Sequence, residues 1–570
     1  MLKTPRNPSA LEWTVAALLL SIAIGLTVSL AVEAARRQGI TMDEPQYHWI
    51  ATQVARDGDF SGFARAGIGP LPILINHVSA ALAQGVPARE LEEQSVSQAC
   101  EEEGRSRIFL ARVLTAILFG VPLLVAIFLV LGLRHGPWVG LGAASVLGLS
   151  PSLLAHLSVA TTDACVALFS FLTVVAMAWH LRSASRASLV SLSVVLGLAM
   201  ASKYSAVFLI PIALVVVALS AAVSEGQRLG SISVLKLVAY RAASMGVCIF
   251  LVCWSVSGFA LATPLEGWAE TTPGILQGMK LPSTIVGLLS QLHHANDGHP
   301  AFLMGDRSSE GWWTYYPIVF AIKSTPVELL LTLPIVIQII RTGRRIRRST
   351  RPWTLEDREL LLWLSAVVVY VAFAISSSIN IGHRYLLLLY PLLIWLGMES
   401  WCRLAPGRAL RLAVVLGIVL LQATSALGVR PAYLQYFNFI VGGPQQGHHY
   451  VVDSNVDWGQ DLPALEESLG ELGGGKVWLA YFGRDCVDDY DIDAVRPTQG
   501  SVTFAKLDFV AISATHLQGA YTGEVFREFR SLVPLATANH SIFIYDYSDD
   551  RVRTATGTAL TRAAQNRRRK

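Results

Sequence analysis

Charge is what this chain has least of. Only 15% of its 570 residues are Asp, Glu, Lys or Arg, while 53% are hydrophobic; soluble proteins carry about 25% charged residues. Cysteine is scarce as well. The six are Cys100, Cys165, Cys248, Cys253, Cys402 and Cys486, and none falls in a CxxC or Cys/His pattern with zinc spacing. Cys100 and Cys486 can share one side of a membrane, but a disulfide between them is the less favoured reading. There is no GxxxxGK[ST] loop and no strand–GxGxxG–helix unit, so the chain is not expected to bind a nucleotide. The net charge of +4 is sorted by side instead of pooled in one patch, and no nucleic-acid partner is expected. No internal repeat is visible.

What is present in abundance is apolar runs of about 20 residues, the length that crosses a bilayer. The first, Leu11–Val32, is too long for a secretory leader and lacks a cleavage signal, so it reads as a retained anchor. Others follow at Ile108–Leu133, Trp138–Ala155, Ala164–Leu181, Leu189–Ser202, Ala206–Val223, Leu237–Ala262, Tyr316–Ile340, Leu360–Ser378, Tyr385–Trp401 and Leu410–Val429. The expected fold is therefore an α-helical polytopic membrane protein of about eleven helices. Two long polar loops interrupt it, at 33–107 and 263–313. The pair around Lys203 reads either as two spans or as one broken helix.

Basic residues in short loops set the orientation. With the N-terminus cytoplasmic, the inner loops hold Lys3, Arg6, Arg134, Arg182, Arg186, Arg228 and Lys236, then the dense run Arg341–Arg351, then Arg403, Arg408 and Arg411. The first outer loop instead carries Glu90, Glu92, Glu93 and Glu101 to Glu103. If Lys203 did not separate two spans, Arg341–Arg351 would face outward, which favours two.

From about Arg430 the character changes. Lys476–Phe482, Asp508–Ala514 and Ser541–Tyr547 read as strands. Leu462, Leu465, Leu469 and Leu472 fall at helical spacing after Asp461, a plausible N-cap, and Gly473–Gly475 ends that helix. Residues 430–570 are thus expected to form a small extracytoplasmic α/β domain beside a membrane domain of 1–429. The last residues, Arg567–Lys570, read as a frayed basic end.

Ionisable groups at membrane spans are costly and are functional candidates by default. Four sets stand out. Asp43-Glu44 follows the first span; one carboxylate can take a proton from a reacting hydroxyl, or the pair can simply begin a helix at Pro45. Asp163, in His156-Leu-Ser-Val-Ala-Thr-Thr-Asp163, lies on the same face, as a second site carboxylate or a first-turn helix residue. Lys203 sits between two apolar spans, reaching an anion or snorkelling to water. Asn380-Ile-Gly-His383-Arg384-Tyr385 puts a guanidinium fork suited to phosphate on the outer side, against the positive-inside trend. His48, Tyr204, Trp312, Trp313 and Tyr385 are candidates to line a lipid or sugar groove, with an interfacial aromatic belt as the plainer reading of the tryptophans. His293, His294, Asp297 and His299 have metal-capable side chains in an exposed loop. Asp453-Ser-Asn455-Val-Asp457-Trp458-Gly-Gln460-Asp461, dense in acid and amide, reads as a site for an acceptor or a cation or, the favoured reading, as a tight structural turn under the tail domain. Because no nucleotide site is present, an activated group must arrive in another form, and a lipid-phosphate carrier fits an interfacial site.

The ordered set of an acidic pair after span one, an ATTDA motif, a Lys-Tyr break, HPAFLMG…GWWTYYP, NIGHRYLLLLYP and DSNVDWGQDL resembles the family 39 membrane glycosyltransferases. These are the bacterial relatives of protein O-mannosyltransferases and the aminoarabinose transferase of lipid A, and they share the C-type glycosyltransferase fold. The resemblance covers about residues 10–465. It implies a polyprenyl-phosphate sugar donor and inverting transfer, on the outer side of the inner cell membrane, to a lipid, glycan or protein acceptor. It implies Asp43 as base or its close partner with Glu44 and Asp163 in the same site, and cationic contacts to the donor phosphate, for which Arg384, His383 and Lys203 are the candidates. Whether Asp43, Glu44 and Asp163 also hold a divalent cation is left open by the residues. The rival readings are a secondary transporter or lipid flippase, and a non-catalytic envelope assembly protein.

Overall fold

A computed structural model describes residues 8–85, 100, 102–225, 230–263, 278–348, 354–405, 407–495 and 507–569. Lys3, Arg6, Glu90, Glu92, Glu93, Glu101, Arg228, Arg351 and Lys570 lie outside the described residues.

Each expected span falls on helix. Among the described residues, eight helical segments are long and apolar enough to cross a membrane, beginning with Ala10–Arg37 and ending with Arg408–Leu427. A ninth is the bent pair Pro137–Gly148 and Pro151–Leu157, which meet at 64°. The bend has a local cause: Ser150 precedes a proline, which disfavours the helical region, and it sits extended at ψ 121°. Two more expected spans are shorter helices, Arg186–Ser202 and Leu389–Leu404. The run expected at Tyr316–Ile340 breaks into Tyr315–Lys323, Pro326–Leu330 and Thr332–Arg348. Thr325 and Glu328 form a capping box at that break.

Lys203 separates two helices. It caps Arg186–Ser202 in extended conformation, and a 3₁₀ turn, Tyr204–Phe208, leads into Leu209–Glu225. The His180 ring contacts Ser188 near the start of the first helix and Ser220 near the end of the second. The two therefore run as a hairpin whose tip is Lys203. Gly69 packs against that tip; a Cβ there would lie 2.4 Å from the Ser202 carbonyl oxygen.

The C-terminal residues build a five-stranded sheet in the order Ala494–Val495, Val477–Ala480, Phe509–Ser513, Ile542–Asp546, Ala536–Ala538. The first three strands are parallel and the last two pair antiparallel. All three expected strands are there, and Leu462–Glu471 is the expected helix. The two edge strands, of two and three residues, are too short to leave a periodic signal. The helix Asp550–Arg569 was not expected either. Val552, Ala555 and Ala559 bury one narrow stripe of it while its other faces are polar, and it runs through Arg567–Arg569, read from sequence as frayed.

The disfavoured disulfide is present. Cys100 and Cys486 are bonded, with Cα atoms 5.8 Å apart. The contact that makes it possible is tertiary: Arg105 donates to Asp485 at 2.6 Å, and the Ile40 N–H donates to the same carboxylate at 2.8 Å. This lashes the segment after the first span to the sheet region.

Candidate active site

The segment Gly39–Met42 is held by the DSNVDWGQD turn. The Gly39 N–H donates to the Gln460 carbonyl at 2.8 Å and the Met42 N–H to the Trp458 carbonyl at 3.0 Å. Asp43 follows as the residue capping helix Glu44–Asp57, where Pro45 occupies the first turn. The turn read as structural from its sequence is thus the clamp that presents the acidic pair.

Asp43 and Glu44 point into different environments. The Glu44 side chain is fully buried and receives five donors: Arg112 Nε and Nη2 at 2.8 and 2.6 Å, the Thr41 N–H and hydroxyl at 2.9 Å, and the Ala160 N–H at 3.0 Å. A carboxylate has about four lone-pair positions, so none is left for a substrate or a cation. The Arg112 guanidinium and those donors outweigh desolvation and hold the Glu44 pKa down at about 2. Asp43 keeps 25% of its side chain exposed and meets Arg384 Nη1 at 2.5 Å, with the Tyr47 hydroxyl at 3.5 Å.

Arg384 comes from the short 3₁₀ turn His383–Leu386. Its guanidinium lies over Trp458, 4.5 Å from the ring centroid, and 5.5 Å from that of Tyr385. Its Nε is buried with no acceptor among the described residues. Gly382 permits the approach of this turn to the clamp, since a Cβ there would lie 2.1 Å from Ser454 Oγ. Beyond the Tyr385 ring lies Lys203, its Nζ 4.2 Å from the centroid and 2.7 Å from Asp163 Oδ1. Asp163 begins helix Asp163–Ser183, and Thr161 Oγ1 donates to its other oxygen at 3.1 Å. The result is a row of two cations flanked by two carboxylates, Asp43, Arg384, Lys203, Asp163, laid around one tyrosine ring. Asp163 is sealed at 1% side-chain exposure, while Asp43, Arg384 and Lys203 keep 25%, 11% and 20%.

The other candidates are placed as follows. His383 is buried with Nε2 2.6 Å from the Tyr390 hydroxyl and Nδ1 3.4 Å from Ser152 Oγ, and its N–H donates to Asn455 at 2.8 Å. Burial pushes its pKa well down, so it positions the turn as a neutral ring and offers no charge to a phosphate. His48 is buried near His77 and Arg107, and desolvation lowers its pKa to about 3. Tyr204 packs its hydroxyl against Gly287. The Trp312 N–H donates to Asn380 at 2.6 Å, and Trp313 is 71% exposed. Asp43, Glu44 and Asp163 do not converge as metal ligands. Each is paired with a different cation. Among the described residues, the one group of three ligand atoms within 4.8 Å is Cys100, Cys486 and Asp489, where both cysteines are spent in the disulfide. His293, His294, Asp297 and His299 form no such group.

Arg112 and Lys323 were not singled out from sequence. Lys323 is buried, its Nζ bonding the carbonyls of Leu434 and Asn455 at 2.7 and 2.5 Å. Both interrupt apolar runs, the same signal that drew attention to Lys203.

Residues 107–254 match the family described as dolichyl-phosphate-mannose-protein mannosyltransferase. The resemblance read from the motifs is borne out, and the mannosyltransferase-like segment contains Arg112, Asp163 and Lys203. The S. cerevisiae protein O-mannosyltransferase Pmt1-Pmt2 complex bound to the sugar donor shares the fold. It is 11% identical, with a TM-score of 0.53, over 73% of this chain and 90% of that one. ArnT from Cupriavidus metallidurans bound to undecaprenyl phosphate aligns over 95% of this chain and 99% of that one, at 13% identity and a TM-score of 0.44, a likeness too loose to assign anything by itself. No curated protein sequence matches significantly. The chain is a multi-pass membrane protein similar to membrane glycosyltransferases.

Proposed function

We propose that this protein transfers a hexosyl or pentosyl group from a polyprenyl-phosphate donor to an acceptor on the outer side of the cell membrane, with inversion at the anomeric carbon. Residues 1–429 would form the membrane domain that carries the site, and 430–570 an extracytoplasmic domain that clamps it. The observation that carries the reading is the pairing of a partly exposed carboxylate, Asp43, with an arginine whose Nε still lacks an acceptor. Acid and cation side by side are what separating a sugar from a phosphate needs. The family description names a lipid-phosphate sugar, and the yeast complex carries its sugar donor, which supports that substrate class.

The step is a single displacement. An acceptor oxygen or nitrogen bonds to the anomeric carbon through an oxocarbenium-like transition state. The bond from that carbon to the phosphate oxygen breaks, and the electron pair leaves on the lipid phosphate. Asp43 takes the acceptor proton. Arg384, with Lys203 across the Tyr385 ring, stabilises the departing phosphate. An incoming phosphate competes with Asp43 for Arg384, so donor binding frees the base when the leaving group is engaged. Asp163 holds Lys203 in place, and Glu44 fixes the turn that carries Asp43. His383 acts through the placement of Arg384.

Mass spectrometry of envelope glycans, lipids and glycoproteins from cells with and without the protein tests this reading. Loss of one hexose or pentose from one species is the expected result. An unchanged glycoconjugate profile contradicts it.

A further inference from the structure

A cavity opens at the other end of the helices, away from the candidate active site. Helix Asp163–Ser183 starts at the candidate active site and runs 21 residues, about 30 Å, to a hollow of about 700 Å³. Its floor is ionic. Arg134 bonds Glu359 at 2.7 Å and Glu399 at 3.0 Å, Arg182 holds Glu359, and Arg403 meets Glu399 at 2.7 Å and Glu356 at 3.3 Å. Glu359 and Glu399 are buried beneath these arginines, whereas Arg182 keeps half its side chain exposed and Glu356 71%. Trp395 lines the same cavity, stacked 3.8 Å from Trp363, and its indole N–H has no acceptor among the described residues. The rim is apolar and faces outward: Leu133 is 77% exposed and Trp179 46%.

We propose that this cavity binds the headgroup of a zwitterionic phospholipid bearing a primary ammonium. Three arginines and three glutamates line it, so an anionic headgroup would gain one set and be repelled by the other. A headgroup carrying both signs satisfies both. Its phosphate takes the half-exposed Arg182, and its ammonium takes the exposed Glu356. The acyl chains then run along Leu133 and Trp179, where an interfacial tryptophan is at home. The lipid would tie together the ends of four helices, those carrying Arg134, Arg182, Glu359 and Glu399, in the leaflet opposite the transferase site. Nothing in this binding depends on the sugar-transfer chemistry.

The test is native mass spectrometry of the full-length protein released from nanodiscs of equal phosphatidylethanolamine and phosphatidylglycerol. Retained phosphatidylethanolamine in excess of phosphatidylglycerol is expected. Retention should fall several-fold in Arg182→Ala and in the milder Glu356→Gln, whose side chain is 71% exposed and can change without disturbing the packing. Replacing phosphatidylethanolamine by phosphatidylcholine, which offers no ammonium N–H, should also weaken retention. Preferential phosphatidylglycerol, no retained lipid, or retention indifferent to both variants overturns the proposal.

Discussion

Asp43 and Glu44 are neighbours in the chain, and their surroundings sort them into different roles. Five donors hold Glu44, and removing it leaves Arg112 buried without its counter-ion. Breaking a buried pair in this way costs about 3–5 kcal/mol. Glu44→Gln should therefore lower the melting temperature of the purified protein sharply, whereas Asp43→Asn should leave it nearly unchanged. The pH dependence has a definite sign. With its pKa depressed from 4.5 to about 2, Glu44 contributes stability that is present above pH 4.5 and lost as pH falls towards 2; thermal melts across that window check it. At this scale the sequence was partly legible. The acidic pair, Asp163, Lys203 and Arg384 all announce themselves as charges at apolar ends. The division of labour between Asp43 and Glu44 does not, because it depends on Arg112, which arrives from 68 residues away.

The turn Asp453–Asp461 and the disulfide act as elements. Asp457 is buried with the Thr515 N–H at 3.0 Å as its donor, and desolvation raises its pKa to about 8. The folded protein thus retains a proton that the unfolded chain releases near pH 3.8. Stability from this group is full below that pH and declines as pH rises towards 8. Asp457→Asn, which keeps the acceptor for Thr515, should flatten the decline between pH 5 and 8 in the same melting assay. The disulfide gives a simpler test: alkylation of the denatured, unreduced protein should modify four thiols, Cys165, Cys248, Cys253 and Cys402, and six after reduction. The turn was readable as a turn from its Asp, Asn and Gly content. Its partner, the backbone just before Asp43, was not, because backbone hydrogen bonds between segments more than 400 residues apart leave no composition signal.

For the whole molecule, the helical spans and the three inner strands were legible because apolar length and β-branched runs are local properties. The short edge strands and the narrow-striped terminal helix were not. The hairpin at Lys203 places Asp43, Asp163, Lys203 and Arg384 at one end and Arg134, Arg182 and Arg403 at the other. Cysteine placed at exposed Ser548 should accordingly react with an impermeant maleimide in intact cells, and cysteine at exposed Ala187 only after the membrane is opened. The reverse pattern would invert the proposed orientation. The most direct measurement of the account is turnover by the purified protein, reconstituted in lipid and offered polyprenyl-phosphate hexoses and pentoses together with an envelope extract as acceptor. The account predicts transfer of one sugar, reduced by about 10²–10⁴-fold in Asp43→Asn at unchanged protein level. Transfer undiminished in Asp43→Asn, or no transfer from any of these donors, would contradict it.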